Sequence, residues 1–252
     1  MTGSLLARSG ALKKTLLKSC IAVMVTGAGS LLQGALIDSF NAPAGGQAVC
    51  AASGVVCGAT PTVSFANVGG VIGGQRDMRV IRNTGGGRVD GNANAFDLGE
   101  LAFGAVSASG TIFLQYDGTD NDGTNLNFLL GGGAGVNLLS SVGIQYLISS
   151  VVDTGGTMTV RLYTDATNFI EGVDVIPALT GVGLRQLSFN GFTETGNFDL
   201  AQVRAITVTI VGNTNLDLTI DYIETYTPEP LTFMLTGAGL VLFGLSRRRK
   251  QA

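Results

Sequence analysis

Residues 203–224 read VRAITVTIVGNTNLDLTIDYIE and contain two runs in which apolar and polar side chains alternate. Isoleucine and valine alternate with threonine over residues 206–211, and leucine and isoleucine alternate with aspartate and threonine over residues 216–222. A period of two places one set of side chains on a core and the other in water, as in a half-buried β-strand. Because Gly212-Asn213 is a turn signal, the stretch predicts two strands joined by a turn.

The alternating pattern continues outward from this stretch. It recurs at residues 157–163, and Asp199 is predicted to cap a short helical turn at 199–203. Further strand candidates lie between turn residues, at 62–68, 75–83, 101–108, 111–116, 126–130 and 144–152. Turn signals such as Gly85-Gly86-Gly87 separate them. Many short strands with Gly-rich turns predict an all-β fold, an antiparallel β-sandwich over residues 36–226.

The N-terminal residues 1–35 have the composition of a secretion signal. Four basic residues between positions 8 and 18 precede an apolar run at about 20–32, which is too short to span a bilayer comfortably. We expect a signal peptide over 1–35 with cleavage near Ala35, and Ser30 remains a second candidate. The alternative is a buried N-terminal helix of a soluble protein.

The C-terminal residues 227–252 combine a short motif, an apolar segment and a basic cluster. Pro228, Glu229 and Pro230 precede the apolar residues 231–245, and the chain closes with the basic residues Arg247, Arg248, Arg249 and Lys250. A helix of that length reaches roughly 22 Å, against a hydrocarbon core of about 30 Å. We therefore expect a short transmembrane helix, with the basic cluster in the cytoplasm and the preceding domain outside.

This order of elements resembles the PEP-CTERM sorting signal. The resemblance covers residues 227–252 and implies export through the inner membrane of a Gram-negative-type bacterium, with processing by an exosortase near Pro228-Glu229-Pro230. It also implies a location at the cell surface or in the extracellular matrix, in association with exopolysaccharide. A plain C-terminal membrane anchor is the alternative.

The region between the two ends is strongly acidic. Residues 36–227 contain seven arginines and no lysine, against thirteen aspartates and four glutamates, which gives a net charge of −10. Such a charge argues against nucleic acid and against anionic lipid or glycan as the main partner, and it suits binding of a divalent cation. Cys50 and Cys57 are predicted to form a disulfide in an oxidising compartment, with two free thiols as the alternative.

Two groups of acidic residues are candidate calcium ligands. The loop DGTDNDG at 117–123 offers Asp117, Asp120 and Asp122, and Asp38 and Asp221 lie on the first and last strands expected. Calcium takes six to eight oxygen ligands, although the spacing in this loop departs from that of an EF-hand. The alternative is a solvated loop with Asx turns.

The central domain resembles the jelly-roll domains of exported PEP-CTERM proteins and of some carbohydrate-binding modules. The resemblance rests on residues 36–40, 73–77 and 199–224. The candidate glycan-binding residues are Tyr163, on the polar face of its strand, and Arg76 and Asp77, for which a structural ion pair is the alternative.

The residue inventory argues against catalysis by the domain. The absence of histidine and lysine from residues 36–227 excludes triads, Schiff bases and histidine-ligated zinc. A paired-carboxylate glycosidase remains open, although the four glutamates are far apart in sequence. The function expected is that of an exported structural protein of the cell surface or matrix. The alternative is a carbohydrate-binding module for exopolysaccharide.

Overall fold

Antiparallel β-strands make up most of the chain that the computed structural model describes, residues 34–44, 46–52, 62–94, 99–150 and 152–227. The strands are β1 (Leu36–Asp38), β2 (Gln47–Ala52), β3 (Val63–Asn67), β4 (Gln75–Ala93), β5 (Leu101–Tyr116), β6 (Gly143–Ile148), β7 (Gly156–Tyr163), β8 (Phe169–Ile176), β9 (Gly183–Ser188), β10 (Thr193–Thr195), β11 (Ala205–Gly212) and β12 (Asp217–Tyr226). The helical turns within these residues are short 3₁₀ turns. One of them, Leu200–Gln202, confirms the turn expected after Asp199, whose carboxylate accepts a hydrogen bond from the Ala201 N–H.

The long strands β4 and β5 join the two layers of a β-sandwich. They pair with each other along nearly their whole length. The other edge of β5 pairs with β12 through residues 101–104 and with β11 through residues 110–116. One layer is therefore β3-β4-β5-β11-β7-β8-β10, and the other is β2-β4-β5-β12-β6-β9 with β1 beside β12. The result is a single curled sheet with every strand pairing antiparallel.

The paired strands β4 and β5 pass from one layer to the other near Gly85, where their pairing is irregular. The register between them shifts on both sides of this residue, which has a φ of +85°. At Gly87 an added Cβ would lie 1.7 Å from the carbonyl oxygen of Val106. Bulges of this kind bend a strand without ending it. The prediction that Gly85-Gly86-Gly87 is a turn was therefore wrong.

The hydrophobic core lies between the two layers. It includes the residues that the alternation placed inward, such as Met158, Val160, Val208 and Leu218, all at most 1% exposed. Gly91 on β4 faces Ile112 from the other layer so closely that a Cβ would lie 2.5 Å from its Cδ1. The sequence pattern thus identified the inward face of these strands correctly.

Several other sequence expectations differ from the structure. Residues 101–108 and 111–116 form the single strand β5, and residues 126–130 form a loop followed by a 3₁₀ turn. The two strands predicted on either side of Gly212-Asn213 are present as β11 and β12, and each pairs with a different half of β5. Strands β2, β8, β9 and β10 were not predicted from the sequence.

The predicted terminal elements lie outside the described residues. These are the signal peptide, the Pro228-Glu229-Pro230 motif, the apolar segment 231–245 and the basic cluster. In the described part of the chain, no helix has the length and apolar character needed to cross a membrane. Cys50 is buried on β2. Its predicted disulfide partner, Cys57, lies outside the described residues.

Candidate functional site

Two rows of mostly polar side chains cross the outer face of the first layer. Cross-strand pairing aligns two rows of side chains on neighbouring strands. The first row is Asp77, Gln115, Thr207, Arg161 and Glu171. The second row is Arg79, Phe113, Thr209, Thr159 and Val173. Because successive side chains alternate between the faces of a sheet, these residues all point away from the core.

This outer face forms the floor of a cleft of about 490 Å³. Its lining combines hydroxyl, amide, guanidinium, carboxylate, aromatic and aliphatic groups, contributed by Arg79, Phe113, Leu114, Gln115, Thr124, Leu126, Thr159, Arg161, Tyr163, Glu171, Thr207 and Thr209. The volume falls within the range of about 300–1,000 Å³ that is usual for small-molecule sites. Strand pairing therefore builds a preformed site from residues that are far apart in sequence.

Stacked cations and aromatic rings hold the cleft side chains in place. The Arg79 guanidinium lies 4.5 Å from the centre of the Phe113 ring, and its Nε is buried without a hydrogen-bond partner. Arg161 forms an ion pair with Glu171 and lies 5.3 Å from the centre of the Phe169 ring. The Arg79 Nε is thus a fixed donor with unused hydrogen-bonding capacity.

Tyr163, predicted as a glycan-binding residue, lies at one end of the cleft. It shares the outer face of β7 with Arg161 but is only 8% exposed. Its ring packs between Phe169, at 5.4 Å, and Phe128, at 6.1 Å. Most of its aromatic surface is therefore covered by neighbouring rings.

The loop at residues 117–129 forms a wall of the cleft. It follows β5 and places Thr124 and Leu126 in the lining. The Gln115 side chain donates a hydrogen bond to the Asn125 carbonyl, and the Leu129 N–H donates to the Asp117 carbonyl. The position of this loop therefore sets the width of the cleft.

Arg76 and Asp38, predicted to bind glycan and calcium respectively, form a buried ion pair instead of an exposed site. Both side chains are fully buried, and Arg76 Nη1 lies 2.9 Å from Asp38 Oδ2. The Asp38 carboxylate also accepts hydrogen bonds from the Tyr116 hydroxyl and the Phe40 N–H. These contacts make the pair structural, with Asp38 and not Asp77 as the partner of Arg76.

Asp77, also predicted to bind glycan, instead belongs to a cluster of three carboxylates with Asp117 and Asp120. One oxygen from each residue lies within 4.8 Å of the other two. Burial, together with the neighbouring Asp117 and Asp120 carboxylates, raises the pKa of Asp77 to about 8. Burial also raises the pKa of Asp117 to about 6, although the hydrogen bond from the Asn127 N–H acts in the opposite direction and lowers this pKa. The cluster thus concentrates negative charge in a poorly solvated position.

Asp122 and Asp221, the other predicted calcium ligands, lie outside this cluster. The Asp122 carboxylate accepts hydrogen bonds from the backbone and side chains of Thr124 and Asn125, which is the Asx-turn arrangement given as the alternative. These bonds hold the pKa of Asp122 well below its usual range. Asp221 lies on β12, two residues before Ile223, which is the residue that pairs with Asp38 on β1.

Sequence reasoning missed most of the cleft. Arg79, Phe113, Gln115, Thr207 and Thr209 were not identified as site residues. Each of them belongs to the outward-facing set of alternating side chains on a strand that the sequence did predict. The strand order that brings these sets together was the missing information.

Solved structures similar to this chain include carbohydrate-binding modules with a jelly-roll-like fold. The family 11 module from Clostridium thermocellum, in complex with a β-1,3-1,4-mixed-linked tetrasaccharide, is 10% identical with a TM-score of 0.40, and the match covers 79% of this chain and 98% of that one. TmCBM61 in complex with β-1,4-galactotriose is 11% identical with a TM-score of 0.29, covering 60% and 88% of the two chains. No family model and no curated protein matches the chain.

Proposed function

We propose that this chain binds a polysaccharide in the cleft on the outer face of the first layer. The observation that carries the proposal is the composition of the cleft floor, where Thr159, Thr207, Thr209 and Gln115 share the outer face of the sheet with the stacked pair of Arg79 and Phe113. Sites of this kind combine an apolar or aromatic surface with a few fixed polar groups that set orientation and specificity.

The chemistry of a sugar ring matches this floor. Each ring offers apolar C–H faces, which pack against aromatic side chains, and hydroxyl groups, which both donate and accept hydrogen bonds. The threonine hydroxyls can likewise donate or accept, and the Arg79 guanidinium offers donors in a rigid planar fork. Because these groups lie on paired strands, little ordering is needed when a ligand binds.

The charge of the domain favours a neutral polysaccharide. The net charge of −10 over residues 36–227 repels an anionic chain, and the acidic cluster with Asp77 lies next to Gln115 at the edge of the cleft. Of the two arginines that line the cleft, Arg161 is paired with Glu171, so Arg79 is the cleft cation without an ion pair among the described residues.

We also propose that the cleft binds its ligand without cleaving it. Glycoside hydrolysis generally requires two carboxyl groups placed on opposite sides of the scissile bond. Among the described residues that line the cleft, Glu171 is the one carboxylic acid, and it is held in an ion pair by Arg161.

Export and sorting complete the proposal. The signal-like residues 1–35 and the resemblance of residues 227–252 to a PEP-CTERM signal support export, processing by an exosortase and a structural role at the cell surface or in the matrix. Exopolysaccharide would then be the polysaccharide available to the cleft. The intact mass of the protein isolated from the native surface tests this part, and retention of Arg247–Lys250 would contradict it.

Affinity electrophoresis of the purified chain tests the proposed function. Native gels would contain one soluble polysaccharide each, covering neutral glucans, galactans and mannans as well as an anionic polysaccharide. We expect at least one neutral polysaccharide to retard the chain and the anionic one to leave it unretarded. Unretarded migration in every gel would contradict the proposal.

A further inference from the structure

Three carboxylates meet where β4 passes the end of β5. Asp77 lies on β4, Asp117 directly follows β5, and Asp120 lies in the loop at residues 117–129. One oxygen from each residue lies within 4.8 Å of the others. Like charges at this separation repel one another strongly in a poorly solvated position.

The cluster also contains buried oxygens that no described hydrogen-bond donor contacts. Asp77 is 1% exposed and Asp117 is fully buried. Neither oxygen of Asp77 accepts a hydrogen bond, and the same is true of Oδ1 of Asp117. An ionised carboxylate buried without a partner costs far more free energy than a single hydrogen bond returns, so a group of this kind either keeps a proton or binds a compensating positive charge.

The described arginines do not supply that charge. The ion pairs among the described residues use Asp38, Asp90, Glu171 and Asp174. Of the cluster oxygens that do have partners, Oδ2 of Asp117 accepts from the Asn127 N–H at 2.6 Å. Both oxygens of Asp120 also have partners, the Asp122 N–H and the Asn127 side-chain amide.

We propose that Asp77, Asp117 and Asp120 bind a calcium ion. All three ligands are hard oxygen donors of the kind that calcium takes at about 2.3–2.6 Å, with water completing the set of six to eight. Two such ligands on opposite sides of one ion would lie about 4.8 Å apart, which agrees with the limit of 4.8 Å between the cluster oxygens. Because both oxygens of Asp77 are unpartnered, the oxygen that Asp77 contributes to this group is free to bind the ion.

A bound ion would tie the cleft wall to the sheet. Asp117 and Asp120 belong to the loop that places Thr124 and Leu126 in the cleft lining, whereas Asp77 belongs to β4. The ion would thus link the loop to the strand on which the floor residue Arg79 lies. This proposal concerns cation binding alone and does not require that the cleft binds a polysaccharide.

Calorimetry and thermal unfolding of the full chain test the site. After treatment with EDTA and dialysis, titration with calcium chloride should show one ion bound per chain. Calcium at 5 mM should raise the Tm by about 2–8 °C, and magnesium at equal ionic strength should raise it by less. An equal shift with magnesium would contradict the calcium site, because it would indicate charge screening.

Substitutions distinguish a calcium site from the alternative, in which two of the carboxyl groups share a proton and no ion binds. Asp77→Asn removes a ligand and, at about pH 8 and above, a repulsive charge. We therefore expect it to raise the Tm in EDTA at that pH and to abolish both the calcium shift and the calorimetric signal. Asp117→Asn should do the same if Asp77→Asn alone fails to fold. Asp217→Asn, an exposed change of equal charge on β12, should keep the full shift. A calcium shift that persists in both cluster variants would overturn the proposal, as would its absence from the unsubstituted chain.

Discussion

Asp38 on β1 and Arg76 on β4 form an ion pair that is fully buried, with 2.9 Å between Oδ2 and Nη1. Arg76 Nε also donates to the Gln47 side chain on β2, and Nη2 donates to the Ala42 carbonyl. The pair thereby joins β1, at the start of the described chain, to one of the two strands that connect the layers.

Replacing Arg76 while Asp38 stays buried should lower the stability of the fold. We expect Arg76→Met to lower the free energy of unfolding by about 3–5 kcal/mol, because Asp38 is then buried without its cation. Arg88→Met, which breaks the exposed pair with Asp90, should cost less than about 1 kcal/mol. Urea denaturation measures both changes. Equal effects of the two substitutions would contradict the structural role of the buried pair.

The bend in β4 predicts opposite outcomes at adjacent glycines. At Gly87 an added Cβ would overlap the Val106 carbonyl oxygen, whereas at Gly86 no heavy atom lies within 4 Å. We expect Gly87→Ala to lower the free energy of unfolding by about 2 kcal/mol or more, and Gly86→Ala to change it by less than about 1 kcal/mol, in the stabilising direction. Thermal or urea unfolding of the two variants gives the comparison. A larger loss at Gly86 would mean that β4 does not bend as described.

The cation-free protein should lose stability as the pH rises. Burial and the neighbouring carboxylates raise the pKa of Asp77 to about 8 and that of Asp117 to about 6, from an ordinary value of 3.8. Because the folded state then binds protons more tightly than the unfolded state, this contribution to stability is fully present below about pH 4 and lost as the pH rises toward about 8. The hydrogen-bonded Asp122 titrates below this range.

The measurement is the Tm in EDTA at several values between about pH 5 and pH 8. We expect a fall over this range that Asp77→Asn largely removes and that the exposed Asp217→Asn keeps. Calcium should reduce the fall, because the ion takes the place of the protons. A Tm in EDTA that rises throughout the range would show that the cluster is not buried in its ionised form.

The stacking of Arg79 on Phe113 predicts that the planar shape of the guanidinium group, and not only its charge, contributes to polysaccharide binding. Arg79→Lys keeps the charge but removes the planar fork above Phe113. We expect about tenfold weaker polysaccharide binding, equivalent to one hydrogen bond from a charged donor. Arg88→Lys on the same strand lies outside the cleft lining and serves as the control. Isothermal titration measures both, and equal affinities would exclude Arg79 as a binding residue.

The sequence predicted the strands with a regular alternation of apolar and polar side chains, such as β7 and β11, and it failed where the local pattern and the burial disagree. On β8, Val173 and Val175 are 55% and 65% exposed, whereas Asp174 between them accepts hydrogen bonds from Tyr146 and Arg185. The apolar residues at 126–130 resembled a strand, but they form the wall of the cleft and end in the buried Leu130.

The candidate sites depend on pairing between distant strands, which local sequence cannot specify. The loop carboxylates Asp117 and Asp120 were predicted as ligands from their own spacing. Asp77 joins them only because β4 pairs with β5 in the register that sets Asp77 opposite Gln115. The partner of Arg76 is likewise set by the position of β1 and not by the adjacent Asp77.

The threonine hydroxyls of the cleft floor provide the most direct test of polysaccharide binding. Thr207→Val and Thr209→Val keep the size and shape of the side chain and suit a β-strand, so the fold should remain intact. Thr157→Val lies on the same face of β7 but outside the cleft lining. The measurement is the dissociation constant for the polysaccharide that retards the chain most. We predict that the Thr207→Val/Thr209→Val double variant binds about tenfold more weakly or worse and that Thr157→Val binds as the unsubstituted chain does. Unchanged affinity in the folded double variant would contradict polysaccharide binding in this cleft.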